Sequence, residues 1–206
     1  MKNLIKGLYC ILPEFDTIEK YKKFVSKLIK FNPNIIQLRI KNKSDQFFYQ
    51  VAFEIKKILS SKNICFIIDD RVDIALLIKS HGVHLGQDDL SALEVRKLVN
   101  NLGLKKFIIG YSTHSLEQAK KALYFPVDYI SVGPVFKTNT KPEYIPVGVN
   151  TLKKVKEFVK DKFPIVAVGG INSKNIDLIK KIGVDAVAVV SAIKDLNPDV
   201  IERLKF

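Results

Sequence analysis

Cysteine is nearly absent from this chain: it holds two, Cys10 and Cys65, each inside an apolar run. Two such residues cannot build a disulfide framework, and their setting reads as small buried side chains kept in a reducing compartment. A cytoplasmic location is therefore expected. Histidine is scarce as well, and His81, His84 and His114 lack the spacing of a zinc site. His81 reads as a surface or turn residue and His84 as a core or strand-end one. No hydrophobic run is long enough to span a membrane, and "MKNLIKGLYCILPEF" lacks a small-residue cleavage pattern, so neither secretion nor a membrane partner is expected. No low-complexity tract is present, and a composition 47% hydrophobic and 27% charged excludes general disorder.

Acidic residues are also in deficit, with 21 Asp plus Glu against 34 Lys plus Arg and a formal net charge of +13. Such a surface attracts phosphates or nucleic acid. Most of the lysines, however, fall at solvent-facing positions of amphipathic helices such as "EKYKKFVSKLIKF" and "LKKVKEFVKDKF". No nucleic-acid-binding motif accompanies them, so a nucleic-acid partner is not expected.

What the chain does have is repetition. The runs "GLYCIL", "NIIQLR", "ICFIID", "GVHL", "FIIGYS", "DYISVG", "PIVAVG" and "DAVAVVS" each read as a strand buried on both faces. Helix-period segments lie between them, with Asp16 and Glu19, Ser91 and Glu94, and Ser115 and Gln118 spaced as capping boxes. Ile18, Tyr21, Phe24, Val25 and Leu28 form the apolar stripe of the first helix. The 206 residues allow roughly 26 per βα unit. Residues 1–206 are thus expected to form a single (β/α)8 TIM barrel domain, with a doubly wound open sheet as the alternative. Either fold gathers ligands at the carboxyl ends of its strands.

Polar residues collect at those ends. "FIIDDRVDIA" closes a buried strand on Asp69 and Asp70, where a short acid would ordinarily cap the next helix. Asp89 follows the fourth strand, and carboxylates on neighbouring strands suit Mg²⁺, which takes one or two of them with water and phosphate oxygens. Asp89 could instead assist the cap of the helix opening at Ser91. The "PVFKTNTKPE" loop brings Thr138, Thr140 and Lys141, two hydroxyls and an ammonium suited to phosphates. In "AVGGINSKN", Gly169 and Gly170 stand where a strand gives way to a helix, either as a phosphate cradle or as a turn that needs positive φ. Ser191 follows the last strand, and His114 beside Ser112 is positioned for proton exchange or for a structural role.

Taken together, "QLRIK", "IIDDRVDIAL", "GVHLGQDDL", "IGYSTHSLEQA", "DYISVGPVFKTNTKPEYIPVG", "AVGGI" and "AVVSAI" resemble the thiamine phosphate synthase family in order and spacing, over nearly the whole chain. The resemblance implies a (β/α)8 barrel that couples hydroxymethylpyrimidine diphosphate to a thiazole phosphate, releasing pyrophosphate. It implies that Gln37, Arg39, Lys41, Asp69, Ser112 and Lys141 contact the pyrimidine diphosphate. Arg39, Lys41, Ser112 and Lys141 are the expected catalytic group. It further implies Asp70 and Asp89 as Mg²⁺ ligands, and Thr138, Thr140, Gly170, Val190 and Ser191 as the grip on the thiazole phosphate. By analogy with other barrel enzymes, a homo-oligomer is an open expectation.

Two departures stand out. The family usually reads Asn-Asp where this chain has Asp69-Asp70, which sets an acid beside a diphosphate. It also commonly has Thr-Asp where this chain has Leu12 and Pro13, although Tyr9 matches. The alternatives are the related thiazole tautomerase branch, using His114, and a non-catalytic protein that binds a thiamine intermediate.

Overall fold

The structure is a computed structural model that describes residues 4–138 and 144–206. The strands β1 (Gly7–Ile11), β2 (Ile35–Leu38), β3 (Cys65–Asp69), β4 (Gly82–Leu85), β5 (Ile108–Thr113), β6 (Tyr129–Val132), β7 (Ile165–Val168) and β8 (Ala186–Val189) pair in parallel and in chain order. Strand β8 returns to β1 and closes the barrel, so the open-sheet alternative falls. All the strand segments expected from the sequence are present, most of them shortened by a residue or two at their ends, with β4 unchanged and β5 running one residue further to Thr113.

The helices α1 (Ile18–Leu28), α2 (Asp45–Leu59), α3 (Val72–Leu77), α4 (Ala92–Asn101), α5 (Leu116–Ala122), α6 (Gly148–Val159), α7 (Ile176–Ile182) and α8 (Pro198–Leu204) form the outer ring. Between barrel and helices lies the larger core, to which α1 contributes Tyr21, Phe24, Val25 and Leu28, while Ile18 is only partly covered. A smaller core fills the barrel itself with Ile5, Tyr9, Ile35, Cys65, Ile67, Ile108, Tyr129, Val166, Ala186 and Ala188. Both cysteines are buried free thiols. Among the described residues, no helix is long and apolar enough to cross a membrane.

The capping pattern is partly redrawn. In α1 the cap is Thr17, whose hydroxyl accepts from the Lys20 N–H, and not Asp16. Ser91 and Ser115 cap α4 and α5 as expected. The Gln118 side chain reaches one residue further back than a capping box requires, accepting from the His114 N–H. The segment after β7 also differs from expectation: α7 starts at Ile176, so Gly169 and Gly170 belong to a loop and not to a helix N-terminus. Their φ values of +97° and +66° fit the turn reading. A Cβ on Gly169 would collide with Pro134, and one on Gly170 with the Lys137 carbonyl, so the two glycines let the β6 and β7 loops lie close together.

Candidate active site

Side chains alternate along each strand, so every second residue faces the barrel axis. Deep in the barrel these are apolar; nearer the carboxyl ends they become Gln37, Asp69, His84, Ser112 and Ser131. Above them opens a cavity of about 330 Å³. Gln37, Arg39, Lys41, Asp69, Asp70, Asp89, Ser112, Thr138, Gly170, Val190 and Ser191 all line it. Thr140 and Lys141 lie outside the described residues.

The two acids that end β3 do different work, and neither caps a helix. The N-cap of α3 is Arg71, with no side-chain cap bond. Asp69 faces inward, accepting from the Gln37 amide and lying 3.4 Å from Arg39 Nε. The acid that stands in place of the family's amide is thus accommodated by a guanidinium and a neutral donor. Asp70 adopts φ +58°, a left-handed conformation that costs a non-glycine residue about 1–2 kcal/mol. Its backbone N–H is tied to the His84 carbonyl at 2.8 Å, which turns its carboxylate towards the Lys41 ammonium and Asp89. Asp89 in turn accepts from the Gly86 N–H at 2.6 Å and leaves the capping of α4 to Ser91.

Asp70 and Asp89 share a hydrogen bond. Burial raises the Asp70 carboxyl, but the hydrogen bonds from Asp89 and Lys41 outweigh it and hold the pKa below the usual carboxylate range. Burial and the neighbouring Asp70 push Asp89 the other way, upward. A carboxyl held low beside one pushed high makes a pair that gains from a cation. That is the donor chemistry Mg²⁺ accepts, with water and ligand oxygens completing its shell. Among the described residues no group of three or more His, Cys, Asp or Glu side chains joins them as a closed metal cage.

Two contacts at and beside the cavity were not anticipated. Glu14 accepts from the Lys41 backbone N–H at 3.2 Å and lies 3.4 Å from Arg39 Nη1, steadying the basic segment from the β1 loop. It sits one residue beyond the Leu12-Pro13 departure. Tyr129 lies at the floor of the cavity and bonds to His84, a contact between β6 and β4 that no local pattern announces. His114 reaches the cavity with Nδ1 2.6 Å from the Gly133 carbonyl and its ring 4.8 Å from that of Tyr144.

Comparison with known proteins shows the family. Residues 8–193 match the family described as thiamine monophosphate synthase. The chain is 41% identical over 194 residues to the thiamine-phosphate synthase of Clostridium tetani, covering 93% of this chain and 90% of that one. It is 44% identical over 183 residues to the thiamine-phosphate synthase of Persephonella marina, covering 88% and 85%. The solved structure of thiamine phosphate pyrophosphorylase from Pyrococcus furiosus superposes with a TM-score of 0.81 at 32% identity, covering 98% of this chain and 95% of that one. The chain belongs to the thiamine monophosphate synthase family.

Proposed function

We propose that the cavity joins hydroxymethylpyrimidine diphosphate to a thiazole phosphate, giving thiamine phosphate and pyrophosphate. Family membership supports the activity, and the site residues follow from one observation. Arg39, Lys41, Asp70 and Asp89 all line the cavity, with Lys41 on Asp70, Asp70 against Asp89, and Arg39 beside the neighbouring Asp69. A diphosphate leaving group needs that arrangement.

The C–O bond between the pyrimidine methylene and the diphosphate breaks first, and its electron pair leaves with pyrophosphate. The thiazole nitrogen then attacks the electron-poor methylene and forms the new C–N bond. Arg39 and Lys41 stabilise the charge that develops on the departing pyrophosphate, with Lys141 expected to add a third cation. Asp70 and Asp89 would hold Mg²⁺, which would supply further neutralisation of the leaving group's charge. Gln37 and Ser112 orient the pyrimidine diphosphate, and Asp69 restrains Arg39. Across the cavity, the Gly170 loop, the Val190 and Ser191 backbone, and Thr138 with Thr140 are assigned to the thiazole phosphate. No enzyme nucleophile takes part; positioning and electrostatics carry the rate.

A second reading has His114 moving a proton on a thiazole, since its imidazole lines the same cavity. One experiment separates the two. Purified protein, both substrates and Mg²⁺ should yield thiamine phosphate and pyrophosphate, and Asp70→Asn should slow the yield on the order of a hundredfold or more while His114→Ala retains it. Thiazole isomerisation that is lost in His114→Ala but survives in Asp70→Asn would reverse the assignment.

A further inference from the structure

Along the floor of the cavity a line of hydrogen bonds crosses the barrel through Asp69, Gln37, Tyr9, Tyr129, His84 and Ser112. Its direction can be worked out hydrogen by hydrogen. The Gln37 Nε2 donates to the Asp69 carboxylate, so the amide oxygen must face Tyr9. Tyr9 donates its hydroxyl hydrogen to that oxygen at 2.8 Å. A phenol has one hydrogen, so the 2.9 Å contact between Tyr9 and Tyr129 has Tyr129 as donor. With that hydrogen committed, the 2.9 Å contact from Tyr129 to His84 requires Nδ1 to carry the hydrogen. In the neutral ring Nε2 is then bare, and the Ser112 hydroxyl donates to it at 2.9 Å.

The packing around the junction supports the same arrangement. Burial raises the pKa of both Tyr9 and Tyr129, which keeps both phenols protonated. Gly110 leaves room for the Tyr129–His84 bond, because a Cβ there would collide with the Tyr129 hydroxyl and with His84 Nδ1. The His84 and Tyr129 rings stack with centroids 5.4 Å apart, which fixes the imidazole plane.

We propose that His84 is a positioning residue: the line from Asp69 through Gln37, Tyr9 and Tyr129 locks it as the Nδ1–H tautomer, and its bare Nε2 fixes the orientation of the Ser112 hydroxyl at the substrate cavity. The serine's hydrogen points into the barrel, Ser131 Oγ donates to one of its lone pairs at 3.5 Å, and the other is left to the ligand. Its effect on turnover rests on the coupling reaction proposed above; the tautomer does not.

The chain's three histidines make ¹⁵N-histidine NMR tractable, with His84→Gln identifying the His84 signals. At neutral pH the wild-type ring should show a protonated Nδ1 and a bare Nε2. An Nε2–H tautomer or an imidazolium would overturn the proposal. Tyr9→Phe is the decisive variant, since Tyr9 bonds to Gln37 and Tyr129 and reaches His84 only through the line. It frees the Tyr129 hydrogen to turn towards His84 Nδ1, so the ring should move towards the Nε2–H tautomer. The kcat/KM for the pyrimidine diphosphate should fall about fivefold to tenfold, as for loss of one oriented hydrogen bond.

Tyr129→Phe, which removes the acceptor for Nδ1–H, should disturb the tautomer in the same way and serves if Tyr9→Phe does not fold. Thr113→Val removes a buried hydrogen bond to the Ser131 carbonyl close by and should leave the tautomer unchanged. A tautomer unmoved in folded Tyr9→Phe and Tyr129→Phe would sink the relay. Wild-type protein with the expected tautomer but no thiamine phosphate would sink the coupling reaction and leave the relay standing.

Discussion

In the proposed reaction the two sides of the cavity solve the same problem, holding an anion, by different means. On the β2–β4 side the work is done by side-chain charge, with Arg39, Lys41, Asp69, Asp70 and Asp89 linked in pairs. On the β7–β8 side the described residues offer backbone and a glycine turn: Gly170, Val190 and Ser191. The proposed reaction accounts for the difference. Pyrophosphate gains charge as it leaves and rewards cations that strengthen in the transition state, whereas the thiazole phosphate is only held and keeps its charge throughout.

Substitutions on the charged side should therefore act on kcat, and those on the backbone side on KM. Asp70→Asn should have the largest effect, lowering kcat on the order of a hundred- to a thousandfold with substrate binding less affected. Steady-state kinetics across a Mg²⁺ titration checks this, and near-normal kcat at any Mg²⁺ concentration would break the division. Gly170→Ala comes next. Its added Cβ would strain φ +66° and press on the Lys137 carbonyl, so KM for the thiazole phosphate should rise about tenfold while kcat holds. An equal fall in kcat would show that this side also contributes to the transition state.

The charged side was the more legible of the two in the sequence. Acids and bases at strand ends stand out one strand at a time, and "QLRIK" and "IIDDRVDIAL" carry their chemistry within a few residues. The barrel was readable for the same reason, because each strand is a continuous apolar run. Tyr129 in "DYISVG" was not readable as a polar group, since its hydroxyl gains meaning only from Tyr9 and His84 on β1 and β4. The Thr17 cap was missed because Asp16 and Thr17 both offer an oxygen, and only the backbone turn decides between them.

Asp69→Asn tests whether the acid in the amide's place hinders the charged side or supports it. Arg39 is divided between Asp69 and Glu14, each at 3.4 Å. Removing the Asp69 charge releases the guanidinium, and the amide oxygen of an asparagine can still accept from Gln37. Pyrophosphate affinity, measured by calorimetry, should tighten about threefold to fivefold. Weaker binding would mean that Asp69 itself joins the metal site.

The smallest effect expected is in stability. Asp89 is held beside Asp70 with its carboxyl pKa raised, so in metal-free buffer the folded protein carries an acid that resists ionising. A group raised in this way costs stability as pH climbs through its unfolded and then its folded value, and the cost is fully present above the folded value. Asp89→Asn removes that cost and keeps an acceptor for the Gly86 N–H. Without Mg²⁺ its unfolding midpoint should lie about 1–2 °C above wild type. With Mg²⁺ the order should reverse, because only the wild-type pair gains from the cation. A midpoint below wild type in both buffers would mean that the paired carboxylates stabilise the fold without any cation, and the contrast between the two sides of the cavity would lose its metal.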